Sequence, residues 1–197
     1  MQSLWKYNRD MKFDPQKHHR PFDYAQGRRS IRLKGYDYSL AGAYFVTIVA
    51  WRREMLFGDV VDGKTPQGGA VVLNEFGQIV REEWEQTAVV RPNVELGEYV
   101  IMPNHVHGML IFVDDGVGAT RRVAPVLQPN SLGAVLGQFK SIVTKRINRL
   151  QNVAGRPVWQ RNYYEHIIRD EREWENIHRY IESNPSMWAE DEENPNR

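Results

Sequence analysis

Two histidines one residue apart, His105 and His107, sit inside the stretch Tyr99-Val100-Ile101-Met102-Pro103-Asn104-His105-Val106-His107-Gly108-Met109-Leu110-Ile111-Phe112. The stretch reads as an apolar strand, a turn at Pro103-Asn104, and a second apolar strand. Residues i and i+2 of a strand project from the same face. His105 and His107 therefore stand side by side, with Val106 turned into the core. Two imidazoles so placed can share one metal ion. By itself the pattern also describes the polar face of an amphipathic strand. A second group lies near the C-terminus, where Tyr180-Ile181-Glu182-Ser183-Asn184-Pro185 ends a predicted helix. Tyr180 and Asn184 are four residues apart and so are neighbours on the helix surface, about 5–6 Å between Cβ atoms. A phenol and an amide oxygen facing out together can supply a nucleophile and a third metal ligand.

Composition bounds the chemistry. The chain has 197 residues, with 41% hydrophobic and 26% charged residues and no cysteine. These are values of one globular domain with a substantial core. Without cysteine there is neither a disulfide framework nor a thiolate metal site. A metal must be held by His, carboxylate, amide or water, which suits Mg or Mn, with Zn possible through imidazole. No apolar run has the length of a membrane span, and the N-terminus lacks the apolar core of a signal peptide. A cytoplasmic, nucleoid-associated protein is the expectation. The net charge of +1 hides a basic first fifty residues, a basic segment at 140–149 and an acidic tail from Glu190. That distribution permits a nucleic-acid partner.

The elements that must position these groups follow from pattern. Residues 1–28 read as a basic, irregular leader in which Lys and Arg alternate with aromatics. Ala43–Trp51 is β-branched and aromatic, the clearest strand. A hairpin partner or edge is expected around Met55–Val60, a loop at 62–69 and a short strand at Val71–Leu73. Asn74 caps a predicted helix at 75–88. Strands follow at Val94–Met102 and His105–Val113. A long loop spans 114–130. Ser131 caps a helix running to about Leu150, with one apolar stripe and with Lys140, Lys145, Arg146 and Arg149 around it. Pro157–Gln160 and Tyr163–Ile168 read as a final strand pair or one broken strand. Asp170 with Glu173 matches a capping box for a helix at 171–183. After Trp188 the charged tail is expected to fray. The order is that of an α+β, ferredoxin-like split βαβ antiparallel sheet with an appended C-terminal helix carrying the tyrosine. The histidine strand should be central, with the last helix on its face.

Taken together, the stretches 99–108, 158–169 and 180–185, and the start at 29–47, resemble the HUH single-strand DNA transposases with one catalytic tyrosine. These are the IS200/IS605-type enzymes, and the likeness is greatest to the REP-associated tyrosine transposases. It covers about residues 29–189 and leaves the leader and the 190–197 tail outside. The resemblance implies a ferredoxin-like fold and a divalent metal, Mg or Mn. It implies His105, His107 and Asn184 as ligands and Tyr180 as the nucleophile that forms a 5′-phosphotyrosine and releases a 3′-hydroxyl. IS200/IS605 enzymes commonly carry Gln where Asn184 stands, so the shorter amide requires a closer helix or a bridging water. The implied partner is single-stranded hairpin DNA, acted on by a monomer or a homodimer, without a membrane.

The chemistry is coherent apart from the family. Negative charge grows on the non-bridging oxygens of a phosphodiester under attack, and a metal held by neutral ligands keeps its full charge to offset it. A phenol with a pKa near 10 is a weak nucleophile until positive charge favours the phenolate. Tyr163 and Tyr164 are rival nucleophiles on a strand where aromatics commonly pack. Glu165 is a possible neighbour of the metal, His166 a structural histidine, and His178 has no role assigned. Arg32, Lys34, Lys140 and Lys145 are the candidates for DNA phosphate contacts. Two other readings stand beside the nuclease: a hairpin-DNA-binding module that does not cleave, and an unrelated metal hydrolase that has no need of Tyr180.

Overall fold

In the computed structural model, residues 41–61, 69–113 and 131–197 are described. The leader at 1–28, Arg32, Lys34 and the expected loop at 114–130 lie outside the described residues, as does all but the last residue of the expected loop at 62–69. In chain order the elements are β1 (Gly42–Val49), a 3-10 turn (Trp51–Arg53), β2 (Gly58–Val61), β3 (Ala70–Leu73) and α1 (Glu75–Val89). There follow β4 (Val94–Ile101), β5 (His105–Phe112), α2 (Leu132–Leu150), β6 (Tyr164–Ile168), α3 (Glu171–Ser183) and a second 3-10 turn (Trp188–Glu190). Among the described residues no helix is long and apolar enough to cross a membrane.

The main sheet has the order β4-β5-β1-β6, with every neighbouring pair antiparallel. This is the predicted split βαβ arrangement, with the histidine strand β5 central. The segments expected at 55–60 and 71–73 pair with each other, β2 with β3, as a separate hairpin. The expected strand at 157–160 makes a single bridge, Ala50 to Trp159, ahead of β6.

Every residue of β1 and β5 is buried because helices cover both faces of the sheet. Tyr44, Val46, Ile48, Val106 and Leu110 pack with Trp84 of α1 and Phe139 of α2 on one face. Ala43, Phe45, Met109 and Ile111 pack with Ile181, Trp174 and Ile177 of α3 on the other. The histidines belong to this second face: His107 pairs with Thr47 and His105 with Val49, in step with Met109 and Phe45. Gly108, next to His107, points the opposite way, where a Cβ would lie 2.3 Å from the Trp84 ring. The glycine lets the indole sit against the strand backbone.

Local signals set the helix that delivers the tyrosine. Asp170 Oδ1 accepts from the Glu173 amide at 2.8 Å, as a cap should. The Glu173 carboxylate reaches back to the Arg169 amide at 2.9 Å, one residue earlier than in a standard capping box. The chain beyond α3 is not frayed at its start: Asp191 and Glu193 are buried. Both are held by polar contacts that the charge pattern of the tail does not reveal.

Candidate metal centre

His105 and His107 come from one strand face with ring centroids 4.3 Å apart. The residue before them sets the chemistry of the first ring. Asn104 Nδ2 donates to the carbonyls of Glu193 at 2.7 Å and Arg53 at 3.2 Å. That fixes the amide so that Oδ1 faces His105 Nδ1 at 2.9 Å. An amide oxygen only accepts, so Nδ1 carries the proton and Nε2 presents its lone pair. His105 Nε2 is fully buried and has no hydrogen-bond partner. Burial pushes the His105 pKa down to about 3, opposed by the Asn184 side chain and reinforced by Arg53. The ring is neutral at physiological pH.

His107 is oriented by Thr47, whose Oγ1 lies 2.8 Å from Nδ1. Its Nε2 lies 3.1 Å from the Tyr180 hydroxyl. Burial also holds this ring well below the ordinary histidine pKa, as does its neighbour His105, against the opposing charge of Asp191. In the tautomer that carries its proton on Nδ1, toward Thr47, the Nε2 lone pair accepts from the Tyr180 hydroxyl.

Asn184 caps the end of α3 and is buried. Its Nδ2 donates to Asp191 Oδ2 at 2.9 Å, which leaves Asn184 Oδ1 buried without a partner. Asp191 is held in turn by the Glu193 amide at 2.7 Å on Oδ1, and its Oδ2 lies 4.0 Å from His105 Nε2. His105, His107 and Asp191 each offer a ligand atom, all within 4.8 Å of one another. Two imidazole nitrogens, an amide oxygen and a carboxylate form an acceptor-only set, and two of these atoms are orphaned in the interior. Orphaned buried acceptors are costly unless a water or a cation satisfies them. These residues fit a divalent ion bound by nitrogen and oxygen.

Tyr180 stands at the rim, half exposed, with its ring edge-on to Phe45 at 6.0 Å. Burial raises its pKa well above the ordinary phenol value, and Asp191, Glu192, Glu193 and Tyr164 add to the shift. Without added positive charge the phenol stays protonated.

The structure thus brings His105, His107, Tyr180 and Asn184 to one place. Tyr164 shares the sheet face, opposite Thr47, but makes its ring contact with Phe45 at 6.2 Å. Tyr163 packs on the other core. Glu165 pairs with Val46 and so lies on the face away from the histidines. His166 meets Glu173 at 3.4 Å. Lys140, expected at DNA phosphate, instead donates to the carbonyls of Gln160, Arg161 and Asn162 at 2.6, 3.0 and 3.4 Å. Through these bonds it braces the chain entering β6, and burial draws its pKa down to about 8. Lys145 is exposed, on a helix that packs on the sheet face opposite the histidines. Asn104 and Asp191 escaped the sequence reading. Asn104 reads as a turn residue after proline. Asp191 sits in a run of charge without periodicity, and only its spacing of seven from Asn184 would have hinted at a return to the site.

No protein-family model matches the chain. An uncharacterised protein of Haemophilus influenzae is 37% identical over 173 residues, spanning 84% of this chain and 92% of that protein. The solved structure of a REP-associated tyrosine transposase bound to a REP hairpin superposes with a TM-score of 0.50 at 18% identity, covering 78% of this chain and 72% of the other. At that identity the likeness speaks for the fold. The chain belongs to the family of the Haemophilus influenzae protein, on a fold shared with the REP-associated tyrosine transposase.

Proposed function

We propose that this protein is a metal-dependent single-stranded DNA endonuclease and strand transferase, acting on hairpin or palindromic repeat DNA through a 5′-phosphotyrosine on Tyr180. One observation carries the reading: the Tyr180 hydroxyl lies 3.1 Å from His107 Nε2, at the rim of a buried donor set with orphaned lone pairs. His105, His107, Asn184 and Asp191 would hold Mg or Mn. When bound, the ion supplies positive charge that polarises a phosphate and favours the phenolate. The hairpin class of substrate draws support from the likeness to a transposase solved with a REP hairpin.

The chain's own residues do the rest. Asn104 and Thr47 hold the two imidazoles in register. Tyr180 and Asn184 share one helix end, so the nucleophile and a ligand keep a fixed relation. The Tyr180 oxygen attacks phosphorus, the P–O3′ bond breaks, the phenolic proton is lost, and the departing 3′ oxygen takes up a proton. One phosphodiester replaces another, so the 3′-hydroxyl can attack the phosphotyrosine and rejoin the strand without ATP. The tyrosine reaches the histidines within a single chain, which supports a monomer working in cis, in the cytoplasm where its DNA lies.

Incubation with labelled hairpin DNA from the gene's own flanks and Mn or Mg, followed by denaturing electrophoresis, tests the reading. A covalent protein–DNA band that needs metal and vanishes in Tyr180→Phe and in the His105→Ala, His107→Ala double variant is expected. Cleavage that survives Tyr180→Phe would point to a hydrolase. Hairpin binding without cleavage in either metal would point to a binding module.

A further inference from the structure

Beside the metal centre the backbone is strained where glycine would be expected. Arg52 and Arg53, consecutive in the Trp51–Arg53 turn, have φ of 54° and 57°. Side chains with a Cβ rarely adopt this left-handed region, and non-glycine residues that do so cluster at functional sites. The turn is locked to the centre. The Arg53 carbonyl accepts from Asn104, the residue that orients His105, and Arg53 Nε lies 3.0 Å from Glu193 Oε2. Arg53 is therefore committed to holding the turn.

Arg52 is not. It is exposed, its guanidinium lies over the exposed Trp51 ring at 5.9 Å, and among the described residues it has no carboxylate partner. Ala50 and Arg53, on either side of the pair Trp51-Arg52, are both bonded to Asn104, the residue before His105, so the turn lies at the histidine end of β5. An exposed indole beside a guanidinium with no carboxylate partner among the described residues offers a stacking surface for a base and a charge for the adjoining phosphate. A purely structural turn needs neither and would be relaxed by glycine.

We infer that Trp51 and Arg52 form a nucleotide subsite that grips single-stranded DNA next to the metal centre. Trp51 stacks one unpaired base, and Arg52 pairs with its phosphate. The inference rests on the reading of the protein as a single-strand DNA enzyme and adds where the strand leaving the hairpin is held.

Fluorescence anisotropy with two labelled DNA hairpins, one blunt and one with a short single-stranded tail, tests it. Wild type is compared with Trp51→Ala and Arg52→Gly, with Mn affinity and melting temperature measured on the same samples. The expected result is binding of the tailed hairpin about tenfold weaker in each variant. Blunt-hairpin and Mn affinities should not change, and Arg52→Gly should melt higher than wild type. Unchanged tailed-hairpin binding in the variants, with Arg52→Gly stabilised, would make the turn merely structural and overturn the inference. Wild type binding neither hairpin would instead remove the DNA reading itself, and the subsite with it.

Discussion

At the scale of single residues, the site depends on which atoms carry protons. Asn104 donates twice to backbone carbonyls and so can only accept from His105. Its side chain thereby sets the tautomer that points a lone pair at the centre. Asn104→Ala should lower Mn affinity about 10–100-fold, the range typical of residues that orient ligands, as read by isothermal titration. An unchanged affinity would mean that His105 needs no such support. Much of the placement of these side chains was legible in the sequence: i and i+2 on a strand, i and i+4 on a helix. Asn104 and Asp191 were not legible, because their roles come from contacts with residues far along the chain. Lys140 shows the converse. A cation on a helix looks like a phosphate contact until the fold places three carbonyls against it.

At the scale of elements, β5 serves two masters. One face presents the histidines to α3. The other must admit Trp84, and Gly108 is where it does so. Gly108→Ala would drive a methyl group into the indole, and overpacking of this kind costs about 1–3 kcal/mol. A fall of several degrees in melting temperature is expected by calorimetry, with Mn affinity reduced because His107 is the adjacent residue. The strands and helix caps were readable because period and capping chemistry are local properties. The β2–β3 hairpin was only half readable. Its two segments look like short strands, but nothing local says that they pair with each other rather than extend the main sheet.

At the scale of the whole molecule, burying two neutral imidazoles links stability to pH. The unfolded chain takes up protons at histidine near pH 6.5, whereas His105 in the folded protein does so only near 3, and His107 is depressed in the same direction. Between those values the unfolded state binds more protons, so stability falls as pH falls. Above about pH 7 neither state is protonated at these rings, and this contribution levels off. The metal-free protein should therefore melt at a lower temperature at pH 5 than at pH 7.5, as followed by circular dichroism. The tail takes part at this scale as well. Asp191 and the Glu193 carbonyl return to the centre from beyond α3, so the last residues close the site that the sheet begins. Composition could not foresee this, since a run of acids most often stays in water.

The central claim is that Tyr180, and no other tyrosine, becomes joined to DNA beside the metal centre. Its most direct test is to trap the protein on hairpin DNA with Mn, digest away protein and DNA, and locate the nucleotide-bearing peptide by mass spectrometry. The account predicts a single modified residue, Tyr180, carrying a 5′-linked phosphate. A modification found at Tyr163 or Tyr164, with Tyr180 unmodified, would contradict it.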